Sequence, residues 1–200
     1  RLGRIPLERI RMQPPPGTAT EDDVAKTKLC ELIDGVIVEK ATGYPESRVG
    51  LLLGRILDEF AEKHDLGYVA GADALTRLKP GLLREPDISF VRWERVPGGE
   101  IPNDPIGAIT PDLAVEVVSV GNSRTEIERK KNEYFDSGVE LVWVVYPRSQ
   151  TITVWTAKTD STELSVDDNL DGGNVLPGFT ANIRELFRRA MHPRRSGNED

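Results

Sequence analysis

The chain has one cysteine, Cys30, and only two histidines, His64 and His192. A single thiol forms no internal disulfide and excludes zinc sites built on several thiolates. Two imidazoles exclude metal chemistry that needs three. Long apolar runs are missing too: the longest, Leu141 to Tyr146, has six residues, far below the roughly 18 of a membrane span. There is no basic excess. With 26 Lys and Arg against 33 Asp and Glu, the net charge is −7, without the overall positive footprint of a protein that coats nucleic acid. A local basic groove remains compatible with that balance. No charged-then-apolar signal segment opens the sequence, which starts at Arg1 rather than Met, as expected of a fragment or a processed chain. These absences point to a soluble, cytoplasmic protein with no membrane partner. Its chemistry has to rest on carboxylates, Lys, Arg, Ser or Tyr.

What is present suits one domain: 200 residues, 38% hydrophobic and 30% charged, enough apolar material for a core. Residues 1–19, with Pro14-Pro15-Pro16-Gly17, read as an extended lead-in, 20–190 as a single domain and 191–200 as a tail. Thr20 with Asp23 resembles a helix cap opening a helix over 21–28. Apolar runs either side of Asp34-Gly35 predict a hairpin. Pro45 and Gly67 bracket a helix over 46–64 whose Val49, Leu52, Leu53, Ile56 and Phe60 share a face. Residues 68–79 read as one or two strands, Ile88 to Val91 as another, and 94–110 as a long loop. Leu113 to Val120 reads as a doubly buried strand. Ser123 and Glu126 form a capping box for a helix ending near Ser137-Gly138. Strands at 141–146 and 151–156 follow, then a polar excursion over 157–174 and a helix over 183–190. The order implies a mixed β-sheet flanked by helices, an α/β (mixed α+β) class.

One residue breaks the apolar pattern. Glu116 sits in the middle of the strand Leu113-Ala114-Val115-Glu116-Val117-Val118, on the face of Ala114 and Val118. A buried carboxylate needs a cationic partner, a metal or a cleft. Asp87, 29 residues earlier, stands at the mouth of another apolar strand. Two carboxylates brought together on adjacent strands repel, and hard Mg²⁺, which takes one or two carboxylates and keeps waters, neutralises them. A cation is then needed where negative charge develops. The helix after the Glu116 strand carries Arg129-Lys130-Lys131, with Ile127, Tyr134 and Phe135 as its apolar members. Lys130 and Lys131 both satisfy the inward spacing, and helical geometry alone does not choose between them.

At these residues the chain resembles the Uma-type restriction endonucleases of the PD-(D/E)xK nuclease superfamily. The matching segments are Glu31 to Gly35, Pro86-Asp87 with Ile88 to Val91, Pro111-Asp112 through Glu116 to Ser119, Lys130 to Tyr134, Gly138 to Val145 and Pro177-Gly178-Phe179. Together they span roughly residues 29–187. The resemblance implies a restriction-endonuclease-like fold with Asp87 and Glu116 as Mg²⁺ ligands, Mn²⁺ as a possible substitute, and DNA as substrate. The superfamily's usual lysine lies two residues after the second acid, where this chain has Val118. In Uma-type proteins it comes from the following helix, which by analogy selects Lys130. Glu31, in the family's early hairpin, is a further candidate catalytic residue near the metal. Relatives often carry a His where Glu46-Ser47-Arg48 stands here. Asp112 is a second Pro-Asp acid on the face of Glu116, but four strand residues separate the two by about 13 Å, which favours Asp87.

The leading expectation is therefore a Mg²⁺-dependent endonuclease acting on DNA through Asp87, Glu116 and Lys130. Glu31 or Ser119 would add an outer contact, and a homodimer would suit cleavage of both strands. The rival is a degenerate nuclease fold that binds nucleic acid or a protein partner. A third reading makes Glu116 and Lys130 a structural ion pair. The arginine-rich ends (Arg1, Arg4, Arg9, Arg11; Arg184 to Arg195) read as solvated, or, with the 94–110 loop, as phosphate-backbone contacts. His64 reads as a helix C-terminal charge partner, Cys30 as a small buried apolar residue, and Trp93, Trp143 and Trp155 as packing.

Overall fold

A computed structural model describes residues 2 and 4–191. Arg1, His192, Arg194, Arg195 and most of the tail over 191–200 lie outside the described residues. The lead-in is extended apart from one 3₁₀ turn, and Thr20 caps α1 (Glu21–Ala25) through a reciprocal box with Asp23. The hairpin forms as its Asp-Gly turn demands: β1 (Cys30–Ile33) pairs with β2 (Val36–Glu39), and Asp34 and Gly35 both take positive φ, 49° and 75°. Gly35 is also required by contact, since a Cβ there would lie 2.6 Å from the carbonyl carbon and oxygen of Gly17.

The long helix α2 (Tyr44–Lys63) is followed by β3 (Gly67–Ala70), β4 (Thr76–Lys79), β5 (Leu82–Arg84) and β6 (Ile88–Arg92). After the 94–110 loop come β7 (Leu113–Val117), α3 (Arg124–Asp136), β8 (Leu141–Tyr146) and β9 (Thr151–Ala157). The chain continues through β10 (Asp160–Leu164), β11 (Asn169–Asp171), β12 (Thr180–Asn182) and α4 (Ile183–Met191). The main sheet has six strands in the order β10-β9-β8-β7-β6-β3. Only β7 and β8 run parallel within it, joined by α3 as a parallel pair requires. A second, four-stranded antiparallel sheet, β2-β1-β5-β4, lies apart from it.

Alternation along β7 and β8 sorts the core. Leu113, Val115, Val117, Leu141, Trp143 and Val145 face α2, α4 and the C-terminal residues Leu176 and Phe179. Ala114, Val142 and Val144 face the other way, toward Ile127 and Tyr134 of α3 and Ile33, Val36 and Val38 of the small sheet. Glu116 shares that second face. It therefore points into the seam between α3, the main sheet and the small sheet.

Three expectations change. The 157–174 stretch is not merely an excursion: it holds β10 and β11, and Leu170 is fully buried. Residues 21–28 are helical only to Ala25. Arg9 and Arg11, near the N-terminus, are not free. Arg9 is 8% exposed and grips Glu126 through two bonds of 2.8 and 2.9 Å, also donating to the Gly121 and Glu39 carbonyls. It ties the lead-in to the first turn of α3, so it cannot meet a phosphate backbone. Arg11 pairs with Glu39, Arg188 with Glu185, and Arg184 with Asp167.

The second Pro-Asp acid is structural. Asp112 is fully buried at the opposite end of β7 from the site, and takes Arg92 Nε, Arg92 N–H and Arg95 Nε at 2.7–2.8 Å. Removing Asp112 leaves the Arg92 N–H without its acceptor and takes a charged hydrogen bond from each of two arginines, which keep only Glu140. Asp112→Ala should therefore cost about 3 kcal/mol, seen as a lower urea midpoint with an unchanged slope.

Candidate active site

The site forms where β7 meets β6 on one side and α3 on the other. β6 runs antiparallel to β7 with Ile88 opposite Val115, and one further step along that register sets Asp87 across from Glu116. The backbone fixes the Asp87 side chain, since the Val117 N–H donates to its Oδ2 at 2.7 Å and its own N–H donates to the Val115 carbonyl. Asp87 is partly open, with 22% of its side chain exposed, and lies on the wall of a cleft of about 670 Å³ between α2 and the end of β3.

Glu116 is deeper, 4% exposed. Its Oε2 receives the Lys130 ammonium at 2.9 Å and its Oε1 receives the Tyr134 hydroxyl at 2.5 Å. Lys130 and Tyr134 are four residues apart on α3, hence one above the other on the helix face. The same ammonium reaches Glu31 Oε1 at 2.9 Å. Glu31, fully buried on β1, is held in turn by Arg84 Nη1 at 2.6 Å, and the rest of the Arg84 guanidinium grips Glu133 at 2.5 and 2.9 Å. Two sheets and one helix thus meet through Glu31, Arg84, Glu133, Lys130 and Glu116.

Lys131 goes elsewhere. Its ammonium binds Glu128 at 2.5 Å and the Lys158 carbonyl at 2.7 Å, and lies 3.8 Å from the centroid of the Trp155 ring. The pair of lysines that helical spacing leaves unresolved is thereby separated: Lys130 meets Glu116, and Lys131, equally buried, packs as a cation on the Trp155 ring.

The electrostatics follow from burial and partners. Burial pushes the Glu116 carboxyl above the ordinary carboxylate range; Lys130 pulls it back, while Asp87 and Glu31 add to the rise. Burial works against the Lys130 charge, yet Glu116 and Glu31 outweigh it and hold the ammonium well above its usual value. Glu31 moves the other way: burial opposes its ionisation, but Arg84 and Lys130 keep it well below the usual range. Burial, with the Glu116 charge beside it, raises Tyr134 strongly, so its hydroxyl stays a donor.

Glu85 is the unsatisfied member of the cluster. It is 4% exposed, its Oε2 has no hydrogen-bond partner, and burial pushes its carboxyl up to about 7. A raised folded-state value favours the protonated form, so stability is full below the unfolded value of 4.5 and falls as pH rises toward 7. Glu85→Gln should therefore match the parent near pH 4 and become the more stable protein across that window, as thermal unfolding at several pH values would read.

Among the described residues no three or more His, Cys, Asp or Glu side chains come together as a cation site. The third acid of the cluster, Glu31, is taken by Arg84 and Lys130. Asp87 and Glu116 remain as a two-carboxylate donor set of hard oxygens, the number Mg²⁺ commonly takes. A cation already sits at Asp87 Oδ1: the Lys40 ammonium, 2.9 Å away. The donor atoms are of the kind a divalent ion takes, and in this structure Lys40 and Lys130 balance their charge.

Sequence reasoning brought together Asp87, Glu116, Lys130 and Glu31, and the structure clusters all four. It missed Lys40, Arg84, Glu85 and the hydroxyl of Tyr134. Arg84-Glu85 carried a signal, two charges closing an apolar run just before Pro86-Asp87. The helical pattern marks Tyr134 by its ring alone, and nothing in the sequence marks Lys40. Ser119 is buried with an unpartnered hydroxyl, so it forms no hydrogen bond to the cluster acids. His64 caps α2 and stacks on Phe60 at 4.4 Å, Cys30 is a buried free thiol, and Trp143 is fully buried.

A mixed sheet flanked by helices is the restriction-endonuclease-like fold class. The family model described as Uma2, "Putative restriction endonuclease", matches residues 21–184. The chain belongs to that family, which places it among nucleases. Its fold is similar to a crystal structure described as "a putative nuclease belonging to DUF820" from Anabaena variabilis, with a TM-score of 0.74. The two are 21% identical, over 86% of this chain and 99% of that one. No curated protein matches the chain. Among the described residues no helix is long and apolar enough to cross a membrane.

Proposed function

We propose that the protein is a Mg²⁺-dependent endonuclease that hydrolyses DNA phosphodiester bonds, with Asp87 and Glu116 holding the metal and Lys130 serving the reacting phosphate. The observation that carries this reading is the Lys130 ammonium, 2.9 Å from Glu116 and kept charged by two acids, on the helix that follows the Glu116 strand. When bound, Mg²⁺, or Mn²⁺ in its place, supplies a water of lowered pKa and positive charge beside the phosphate. Glu116 is aimed by Tyr134 and Lys130, and Asp87 by the Val117 N–H. Held charged, Lys130 is not the proton acceptor. Its part is to stabilise negative charge as it develops on the phosphate oxygens. Glu31 and Arg84 act through Lys130, as positioning residues that fix where the ammonium stands. A homodimer would present two such sites to a duplex.

One observation favours a binding-only protein: each carboxylate oxygen of Asp87 and Glu116 already has a partner, namely Lys40, the Val117 N–H, Lys130 or Tyr134. Supercoiled plasmid and a single-stranded RNA, each incubated with Mg²⁺, Mn²⁺ or EDTA, separate the readings. Nicked plasmid with either metal, none with EDTA, and intact RNA are expected. DNA that is retained on a gel but never cut in either metal would support the binding-only protein.

A further inference from the structure

Lys40 follows β2 directly, and its side chain is 5% exposed although it lines the cleft. Its ammonium makes three polar contacts, with Asp87 Oδ1 at 2.9 Å, the Glu85 carbonyl at 2.7 Å and the Ala72 carbonyl at 3.0 Å. An ammonium has three N–H groups, so all are used. One carboxylate and two carbonyl oxygens are also what a hard divalent cation seeks. Mere anchoring of the strand end would not require the ammonium to sit on Asp87, the more open of the two paired acids. The positive charge is felt across the cluster, lowering the cost of ionising Glu31, Glu85 and Glu116 as well.

We propose that Lys40 is a tethered resident cation, seated on Asp87 in place of a divalent ion and released into the cleft when one binds, so that it sets the metal affinity of the site. The inference rests on the metal-binding reading of Asp87 and Glu116. Asp87 needs a counter-charge when no metal is present, and the tethered ammonium supplies it at the cost of competing with the ion. The cleft beside Lys40 gives its flexible four-carbon stem a place to go without movement of β2. The binding-competent population is then the fraction in which Lys40 has left, and apparent affinity falls by that fraction.

Two measurements test this. The first is Mn²⁺ binding, followed by loss of the free-ion electron paramagnetic resonance signal, in the parent, Lys40→Met and Lys40→Gln. Both variants are expected to bind Mn²⁺ about tenfold more tightly than the parent. The second uses the unaltered protein: acetylation of Lys40 by an amine-reactive ester, read by peptide mass spectrometry against the half-exposed Lys158. Labelling of Lys40 relative to Lys158 should rise several-fold on adding Mg²⁺, and in Asp87→Asn it should be high with or without the ion. Equal or weaker Mn²⁺ binding by the Lys40 variants, with Lys40 labelling in the parent unmoved by Mg²⁺, would overturn the proposal and leave the metal site standing. Absence of Mn²⁺ binding in parent and variants alike would overturn the metal reading and the role of Lys40 with it.

Discussion

Lys130→Met is expected to lower metal-dependent nicking by about 10²–10³-fold, the usual cost of removing one preorganised group that meets developing charge, whereas Lys131→Met leaves it nearly unchanged. The two lysines are neighbours in sequence, equal in charge and both 2% exposed. They differ only in what they touch. Lys130 joins Glu116 to Glu31, while Lys131 lies on Trp155 with Glu128 and the Lys158 carbonyl. Charge or burial alone would give the two substitutions the same effect. Comparison of initial nicking rates, after circular dichroism has shown both variants folded, checks the assignment. Equal loss in both would mean that α3 contributes general positive charge rather than one placed ammonium.

The second large effect concerns stability. Arg84 is fully buried between Glu31, also fully buried, and Glu133, and the attraction of both acids holds its guanidinium charged against burial. Arg84→Met roughly keeps the volume but leaves fully buried Glu31 with Lys130 as its one cationic partner and Glu133 with Arg129. Breaking a buried pair from one side typically costs about 3–5 kcal/mol, which for a chain of this size is a fall in Tm of roughly 10 °C. Arg84→Met combined with Glu31→Gln should recover part of that loss, because the buried acid charge is removed with its partner. The difference between the double variant and the sum of the singles reads the coupling directly. A double variant no more stable than Arg84→Met alone would show that the loss comes from packing rather than from the buried acid.

The hairpin at Asp34-Gly35 and the capping boxes at Thr20 and Ser123 were legible because each is decided within a few residues by turn or cap chemistry. β7 was legible because a strand buried on both faces leaves a continuous apolar run, and that run made Glu116 conspicuous. The strands that escaped reading depend on their neighbours. β10, Asp-Ser-Thr-Glu-Leu, has hardly any apolar face and exists by pairing with β9 at the edge of the main sheet. β5 is three residues long and takes its place between β1 and β4. Its separation with β1, β2 and β4 into a second sheet is a matter of pairing that no local pattern records.

The site was legible where chemistry forces an anomaly into an apolar strand, as at Glu116 and at the mouth of β6. It was opaque where the partner is far along the chain. Arg9 meets Glu126 across 117 residues, Arg84 meets Glu31 across 53, and Lys40 reaches Asp87 only because β2 ends and β6 begins beside the same cleft. The choice between Lys130 and Lys131 is of the same kind. Spacing on the helix allows both, and the positions of Trp155 and Glu116 decide.

The most direct test of the central claim is a nicking assay on supercoiled plasmid in Mg²⁺ with the parent, Asp87→Asn and Glu116→Gln, each nearly isosteric and each shown to unfold cooperatively. The parent is expected to give open circles that EDTA prevents, and both variants to leave the plasmid supercoiled. Cleavage that persists in either variant at the parental rate would contradict the assignment of the acid pair.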